Sequence, residues 1–221
     1  MISSDIPPFL HPDRQTFRGM AVFDLDGTLL RGETVCELLA RPLGRINQMK
    51  QFEQLSSEAD IAEARSEMVQ WYRDHSIESL QQHLQGAMWA PGARDAVREL
   101  NAANVLVGIA SITWKFAVQW FADQLGVRHY LGTDVGPDGE IIHVWGRDKA
   151  EWLNQLMASN GVSPKRVAAV GDSQGDFEML QAAQLRFLVG KLDILGLPST
   201  THLPEADLRL VSEQILRAWP N

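Results

Sequence analysis

Two carboxylates, Asp24 and Asp26, follow the apolar run Met20-Ala21-Val22-Phe23, and Gly27 offers a sharp exit directly after them. Like charges at the end of a buried strand repel each other and resist desolvation, so a cation or a bound ligand is needed to compensate them. Further along stand Ser111 in GIASITW, Lys149 in RDKAEWLNQLM, and Asp172 and Asp176 in GDSQGD. Each of these types has a use in metal-assisted phosphoryl transfer. Carboxylates hold Mg²⁺ while leaving positions for water and phosphate oxygens. One carboxylate can attack as a nucleophile and form an aspartyl-phosphate. A second, two residues on along a strand, points to the same side and can deliver a proton to the leaving oxygen. The Lys149 ammonium and hydroxyls such as those of Thr28 and Ser111 suit the phosphoryl oxygens.

These residues need elements that bring them to one edge. Apolar runs at residues 20–25, 105–110, 167–170 and 187–189 read as parallel strands, and helical patterns separate the later ones. The expected fold is therefore α/β: a doubly wound, Rossmann-like parallel sheet with its site outside the carboxyl ends of the strands. Two short β-like stretches around Gly136-Pro137-Asp138-Gly139 predict a hairpin flap. Residues 32–90 show helical spacing and no convincing strand, too long a stretch for one crossover. They predict an inserted helical domain. The core is then residues 20–31 and 91–221, with Pro91 at the entrance of the helix that restarts it, and residues 1–19 form an irregular arm.

Composition narrows the class. A chain of 221 residues with 45% hydrophobic content can bury a sizeable core. A formal net charge of −8 argues against a nucleic-acid partner, which would need a basic surface. The single cysteine, Cys36, excludes an internal disulfide framework and fits a reducing compartment. No apolar stretch approaches the roughly 20 residues of a membrane span. The first residues lack the basic-then-apolar pattern of a signal peptide, so a cytoplasmic protein is expected. Phosphate-binding G-x-x-x-x-G-K-[ST], dinucleotide-binding G-x-G-x-x-G and zinc-binding H-E-x-x-H motifs are absent.

With those residues in order, the chain resembles the haloacid dehalogenase-like superfamily, in its phosphoserine-phosphatase-like branch. DLDGT matches the first motif, Ser111 the second, Lys149 the third and GDSQGD the fourth, over about residues 20 to 218. The resemblance implies Asp24 as nucleophile and Asp26 as general acid and base. It implies Mg²⁺ held by Asp24, the Asp26 backbone carbonyl and Asp172. Thr28, Ser111 and Lys149 would hold the phosphate, Asp176 would support Lys149 and the metal shell, and the helical insertion would be the cap. The implied activity is hydrolysis of a small phosphomonoester through an aspartyl-phosphate, with a phosphoserine-like substrate favoured. The alternatives are an amino-alcohol phosphate such as histidinol phosphate, a sugar-derived phosphate, or a binding protein with a vestigial site. The intact acidic and basic set argues against the last, and Asp26 argues against a dehalogenase, because it supplies the acid that esters need.

Two residues of the insertion bear on selectivity. Glu33 matches in position the glutamate that phosphoserine phosphatases turn toward the substrate ammonium, or else it is a first-turn helix glutamate. Arg65 lies on a helical stripe with Ile61, Met68, Val69 and Tyr72. It either faces an enclosed anion, as the branch's carboxylate-binding arginine does, or snorkels at the stripe's edge. One departure stands out. Ile112 and Thr113 follow Ser111 where the branch has two glycines, so their side chains would reshape that wall.

Overall fold

The computed structural model describes residues 17–191 and 196–220. The arm expected over residues 1–19 therefore falls largely outside the described residues, as do positions 192–195 and 221 of the expected core. Arg18 ties the start of the described chain to its end, donating from its guanidinium to the carbonyls of Trp219 and Leu216.

A seven-stranded sheet carries the site. In chain order its strands are β1 (Gly19–Phe23), β4 (Val105–Trp114), β5 (His129–Val135), β6 (Ile141–Ile142), β7 (Val167–Gly171), β8 (Leu185–Leu188) and β9 (Thr201–His202). Their spatial order is β6-β5-β4-β1-β7-β8-β9. Every pairing is parallel except β5 with β6. β1, central and fully buried, has the unbroken apolar sequence that two covered faces require. Its alternate residues enter different cores: Ala21 and Phe23 on one face, Met20 and Val22 on the other. Helices α5 (Ala93–Ala102), α6 (Lys115–Leu125) and α9 (Arg209–Ala218) supply residues to the first core. α7 (Gly146–Ser159) and α8 (Phe177–Ala182) supply the second.

Between β1 and β4 the chain makes four further helices: α1 (Val35–Ala40), α2 (Ile46–Phe52), α3 (Glu58–Tyr72) and α4 (Ile77–His83). Thr34 caps α1, accepting from the Glu37 backbone N–H while the Glu37 carboxylate accepts from the Thr34 backbone N–H. Ser57 and Ser76 cap α3 and α4 in the same hydroxyl-to-backbone manner. None of these helices joins the main sheet.

The expected strands are all present, and the differences have local causes. Residues 32–90 do contain a strand: β3 (Met88–Trp89) pairs antiparallel with β2 (Leu30–Arg31), closing a two-stranded ribbon where the chain leaves and re-enters the core. Two residues per strand are too short to leave an alternation pattern. The segment read as a simple flap is also part of the main sheet, because β5 runs parallel to β4 before turning into β6. β4 continues to Trp114, with an irregularity in its register between Ala110 and Trp114. β9, a two-residue edge strand, carries no sequence signal of its own.

Candidate active site

The site begins where β1 stops. The Asp24 N–H still donates to the Val170 carbonyl, 2.9 Å away, so the nearly buried carboxylate of Asp24 is fixed by the neighbouring strand β7. The next five residues, Leu25–Leu29, turn the chain sharply, and Gly27 takes a positive φ of 80°. A side chain there would be strained and would strike Asp172: an ideal Cβ lies 2.1 Å from its Oδ2. Gly27 is thus the close approach that brings the first and last acidic segments together. Arg31 braces this turn, donating to the carbonyls of Gly27, Thr28 and Leu30. Sequence reasoning missed Arg31, whose role depends on the turn's shape and leaves no motif.

Lys149, in the first turn of α7, is buried between two carboxylates. Its Nζ donates to Asp24 Oδ1 at 2.7 Å and to Asp176 Oδ1 at 2.8 Å. Burial works against its charge, but Asp176 and Asp24 outweigh it and hold the ammonium well above the usual lysine range. Asp176 is occupied on both sides, since its Oδ2 accepts from the Asp172 and Ser173 backbone N–H groups. The chain passes so close here that a Cβ at Gly171 would meet the Asp176 Cβ at 2.5 Å.

Carboxylate oxygens of Asp24, Asp172 and Asp176 come within 4.8 Å of one another. Burial, then the Asp176 charge, raises both Asp24 and Asp172 well above the ordinary carboxylate range. Such a set of hard oxygen donors, crowded and short of positive charge, fits a hard divalent cation. Asp176, already spent on Lys149 and two backbone groups, is the least available of the three, which leaves Asp24 and Asp172 as the stronger ligands. Asp26 sits at the mouth, where its Oδ1 accepts from the Val35 N–H at 2.8 Å. Burial pushes its carboxyl up to about 7, against the pull of that hydrogen bond.

Above these groups lies a cavity of about 580 Å³, lined from the core by Asp24, Asp26, Ser111, Lys149 and Asp172 and from the helical insertion by α2 and α3. This size suits a small-molecule site. Ser111 is buried in the irregular part of β4, and its Oγ accepts from the Thr113 N–H at 3.2 Å. Thr28 is also buried, but it does not line the cavity, and its Oγ1 has no hydrogen-bond partner.

The two expected selectivity residues sit differently from the reading that made them a pair. Glu33 does not line the cavity and instead forms an ion pair with Arg41. Nor is it a first-turn glutamate, because α1 begins only after the Thr34 cap. Arg65 does line the cavity and is buried, but its guanidinium is engaged. It donates to the Ile112 carbonyl at 2.9 Å and the Val144 carbonyl at 3.1 Å, contacts His143 Nδ1 at 3.1 Å, and lies 4.6 Å from the centre of the Trp145 ring. The snorkelling alternative does not match, since the head group turns inward to backbone oxygens rather than out to water.

A mostly parallel sheet with an aspartate beyond its central strand, a buried lysine bridge and an acidic cluster make an α/β protein with a charged site at its strand ends. The chain belongs to the haloacid dehalogenase-like hydrolases, whose family model matches residues 21–181. Among its relatives, the phosphoserine phosphatase of Archaeoglobus fulgidus is 25% identical over 84% of this chain, which spans 60% of that protein's length. The phosphoserine phosphatase of Methanocaldococcus jannaschii is 24% identical, with 89% of this chain and 97% of that one aligned. A substrate-bound phosphoserine phosphatase structure superposes with a TM-score of 0.74 at 22% identity, covering 90% of this chain and 98% of the other. A HAD family hydrolase from Salmonella enterica serovar Typhi gives 0.76 at 18% identity, covering 88% and 70%. The sheet with its helical cap is therefore the fold of the phosphoserine-phosphatase-like branch. Among the described residues, no helix is long and apolar enough to cross a membrane.

Proposed function

We propose that the protein is a Mg²⁺-dependent phosphatase that hydrolyses a small phosphomonoester through an aspartyl-phosphate on Asp24, with residues 32–90 acting as its cap. The observation that carries this reading is the buried Lys149 bridging Asp24 and Asp176 at 2.7 and 2.8 Å. An ammonium held there fixes one oxygen of Asp24 and offsets charge on the phosphoryl group as it arrives. Asp24 attacks phosphorus with its carboxylate, and the bond from phosphorus to the ester oxygen breaks. Asp26 gives a proton to that oxygen, which leaves as an alcohol. Asp26, now ionised, takes a proton from the water that attacks the acyl phosphate, releasing phosphate and restoring Asp24. Asp24, Asp172 and the Asp26 backbone carbonyl would hold Mg²⁺, which supplies positive charge against the phosphoryl oxygens. Ser111, which lines the cavity, would hold a phosphoryl oxygen, Asp176 would position Lys149, and Thr28, buried outside the lining, lends the phosphate role no support.

Support for phosphoserine itself comes from the relatives' names, while Glu33, outside the cavity, and Arg65, committed to backbone carbonyls, do not add to it. Rapid-quench mass spectrometry tests the chemistry. With a phosphomonoester and Mg²⁺, the peptide containing Asp24 should carry a phosphoryl group, and Asp24→Asn should abolish both the label and turnover. Turnover by Asp24→Asn at the parent rate would exclude the covalent route.

A further inference from the structure

The cap's contribution to the cavity is largely apolar, with Thr34, Glu53, Gln54 and Arg65 as its polar members. Met49 and Phe52 of α2, Leu55 beyond it, and Ile61 and Met68 of α3 line that side, and Trp114 joins them from the end of β4. The aromatic members are held in place before any ligand arrives. Phe52 stacks on Trp71, with centroids 5.4 Å apart and 7° between the planes, and Arg45 lies 5.9 Å from the Trp71 ring. Trp114 meets Tyr72 edge-on at 5.8 Å. The methionines are the adaptable part of this wall. Ile112, standing where the branch has glycine, lines the cavity with 43% of its surface exposed, an apolar side chain left uncovered beside the phosphate site.

The charges point the same way. The cavity's carboxylates are Asp24, Asp26, Glu53 and Asp172, set against Lys149, which is committed to Asp24 and Asp176, and Arg65, which is committed to Ile112, Val144 and His143. Glu53 accepts from the Thr34 hydroxyl at 2.5 Å and stays on the cap side. A leaving group bearing its own carboxylate would meet Glu53 on the cap side, and the Arg65 donors near it are already partly used on the Ile112 and Val144 carbonyls and His143. The cavity, about 580 Å³, has room for an arylalkyl group beside the phosphoryl group.

We infer that this phosphatase selects a phosphomonoester whose leaving group is an apolar alcohol of about the size of an arylalkyl group, seated against Phe52, Met68, Trp114 and Ile112. The inference rests on the phosphatase reading above. In the reaction the ester R–O–PO₃²⁻ and water give the alcohol R–OH and inorganic phosphate. Only R meets the apolar wall, which the cap and the end of β4 build together, so discrimination is separate from the chemistry at Asp24.

The test uses the full chain with Mg²⁺ and alkyl esters of comparable leaving-group acidity. 2-Phenylethyl phosphate should show a kcat/KM at least about tenfold above that of O-phospho-L-serine, in keeping with burial of a large apolar side group. Phe52→Ala should lower that preference ratio about tenfold, and Phe52→Leu should lower it less. Equal or better use of phosphoserine overturns the inference while leaving the phosphatase reading intact. A preference ratio unmoved by either Phe52 variant also overturns it. Absence of turnover on both esters and on 4-nitrophenyl phosphate overturns both readings.

Discussion

The floor and the roof of the cavity are built by opposite rules. Below, the charged groups are pinned: Asp24 by β7 and Lys149, Asp176 by Lys149 and two backbone N–H groups, and the turn after Asp24 by Arg31. Above, α2 and α3 present aromatic and thioether side chains, and the buried Arg65 spends its donors on the Ile112 and Val144 carbonyls. Phosphoryl chemistry tolerates little displacement of its charged groups, so the floor is rigid and crowded. Recognition of the remainder of a substrate can be met by many apolar surfaces. The contrast separates a fixed reaction from an adjustable preference.

The largest effects should come from the floor. Asp26→Asn should lower turnover of an alkyl phosphate by roughly 10²–10⁴-fold, because the departing oxygen then lacks a proton donor. On 4-nitrophenyl phosphate, whose leaving group departs unprotonated, the loss should be clearly smaller. Equal losses measured on the two esters would show that Asp26 orients the loop rather than moving a proton. Lys149→Ala tests whether the floor's crowding is also structural. Removing the ammonium leaves Asp24 and Asp176 buried without their partner, a loss of about 3–5 kcal/mol for a fully buried pair. Urea unfolding at neutral pH should show it, and an unchanged midpoint would mean the two carboxyls simply take up protons.

Arg65 stands at the seam between the two regions. Arg65→Ala should cost about 1–3 kcal/mol in stability, since the Val144 and Ile112 carbonyls lose their donor. It should also raise KM by similar factors for esters with and without a carboxylate. A rise confined to carboxylate-bearing esters would break the contrast, because the roof would then be reading charge.

The smallest effect belongs to Cys36, which lines the roof and contacts the Thr113 Oγ1 at 3.3 Å. Burial pushes its thiol up to about 12 from an ordinary value of 9.0. A folded-state value above the unfolded one gives stability that is full below about pH 9 and is lost as pH rises from there toward about 12. Unfolding curves of the parent and Cys36→Ala should therefore keep a constant separation up to pH 9 and change it only above. Alkylation at pH 8 should be slower in the native protein than in urea, because the thiolate is the reactive form.

How far these features could be read from the sequence follows the same division. The strands β1, β4 and β7 and the acidic segments after them were legible because buried parallel strands are apolar runs and the residues beyond them are chemically improbable there. Lys149 was legible for the same reason once its helix was placed. The roof was not. Arg65 on an apolar stripe shows that a charge is buried, yet its acceptors, Ile112 and Val144, are backbone groups distant in sequence and carry no residue signature. Glu33 was misplaced by proximity, since being near the first motif says nothing about which way Thr34 turns the chain. Arg31 and the β2–β3 ribbon escaped because each depends on a turn of a few residues rather than on periodicity.

That ribbon has a mechanical consequence. The two backbone passages between helices and core are stitched together at Leu30 with Trp89 and Arg31 with Met88, and the Ala90 N–H donates to Leu29. Leu30 follows immediately on the turn Leu25–Leu29, which holds Asp26 and Gly27. A rotation of the helical layer would therefore act as torque on a short double-stranded hinge whose inner end is the turn that holds Asp26. Arg31, donating to the carbonyls of Gly27, Thr28 and Leu30, stiffens that junction. On the proposed mechanism, admitting a substrate and aiming the Asp26 carboxyl would share one axle.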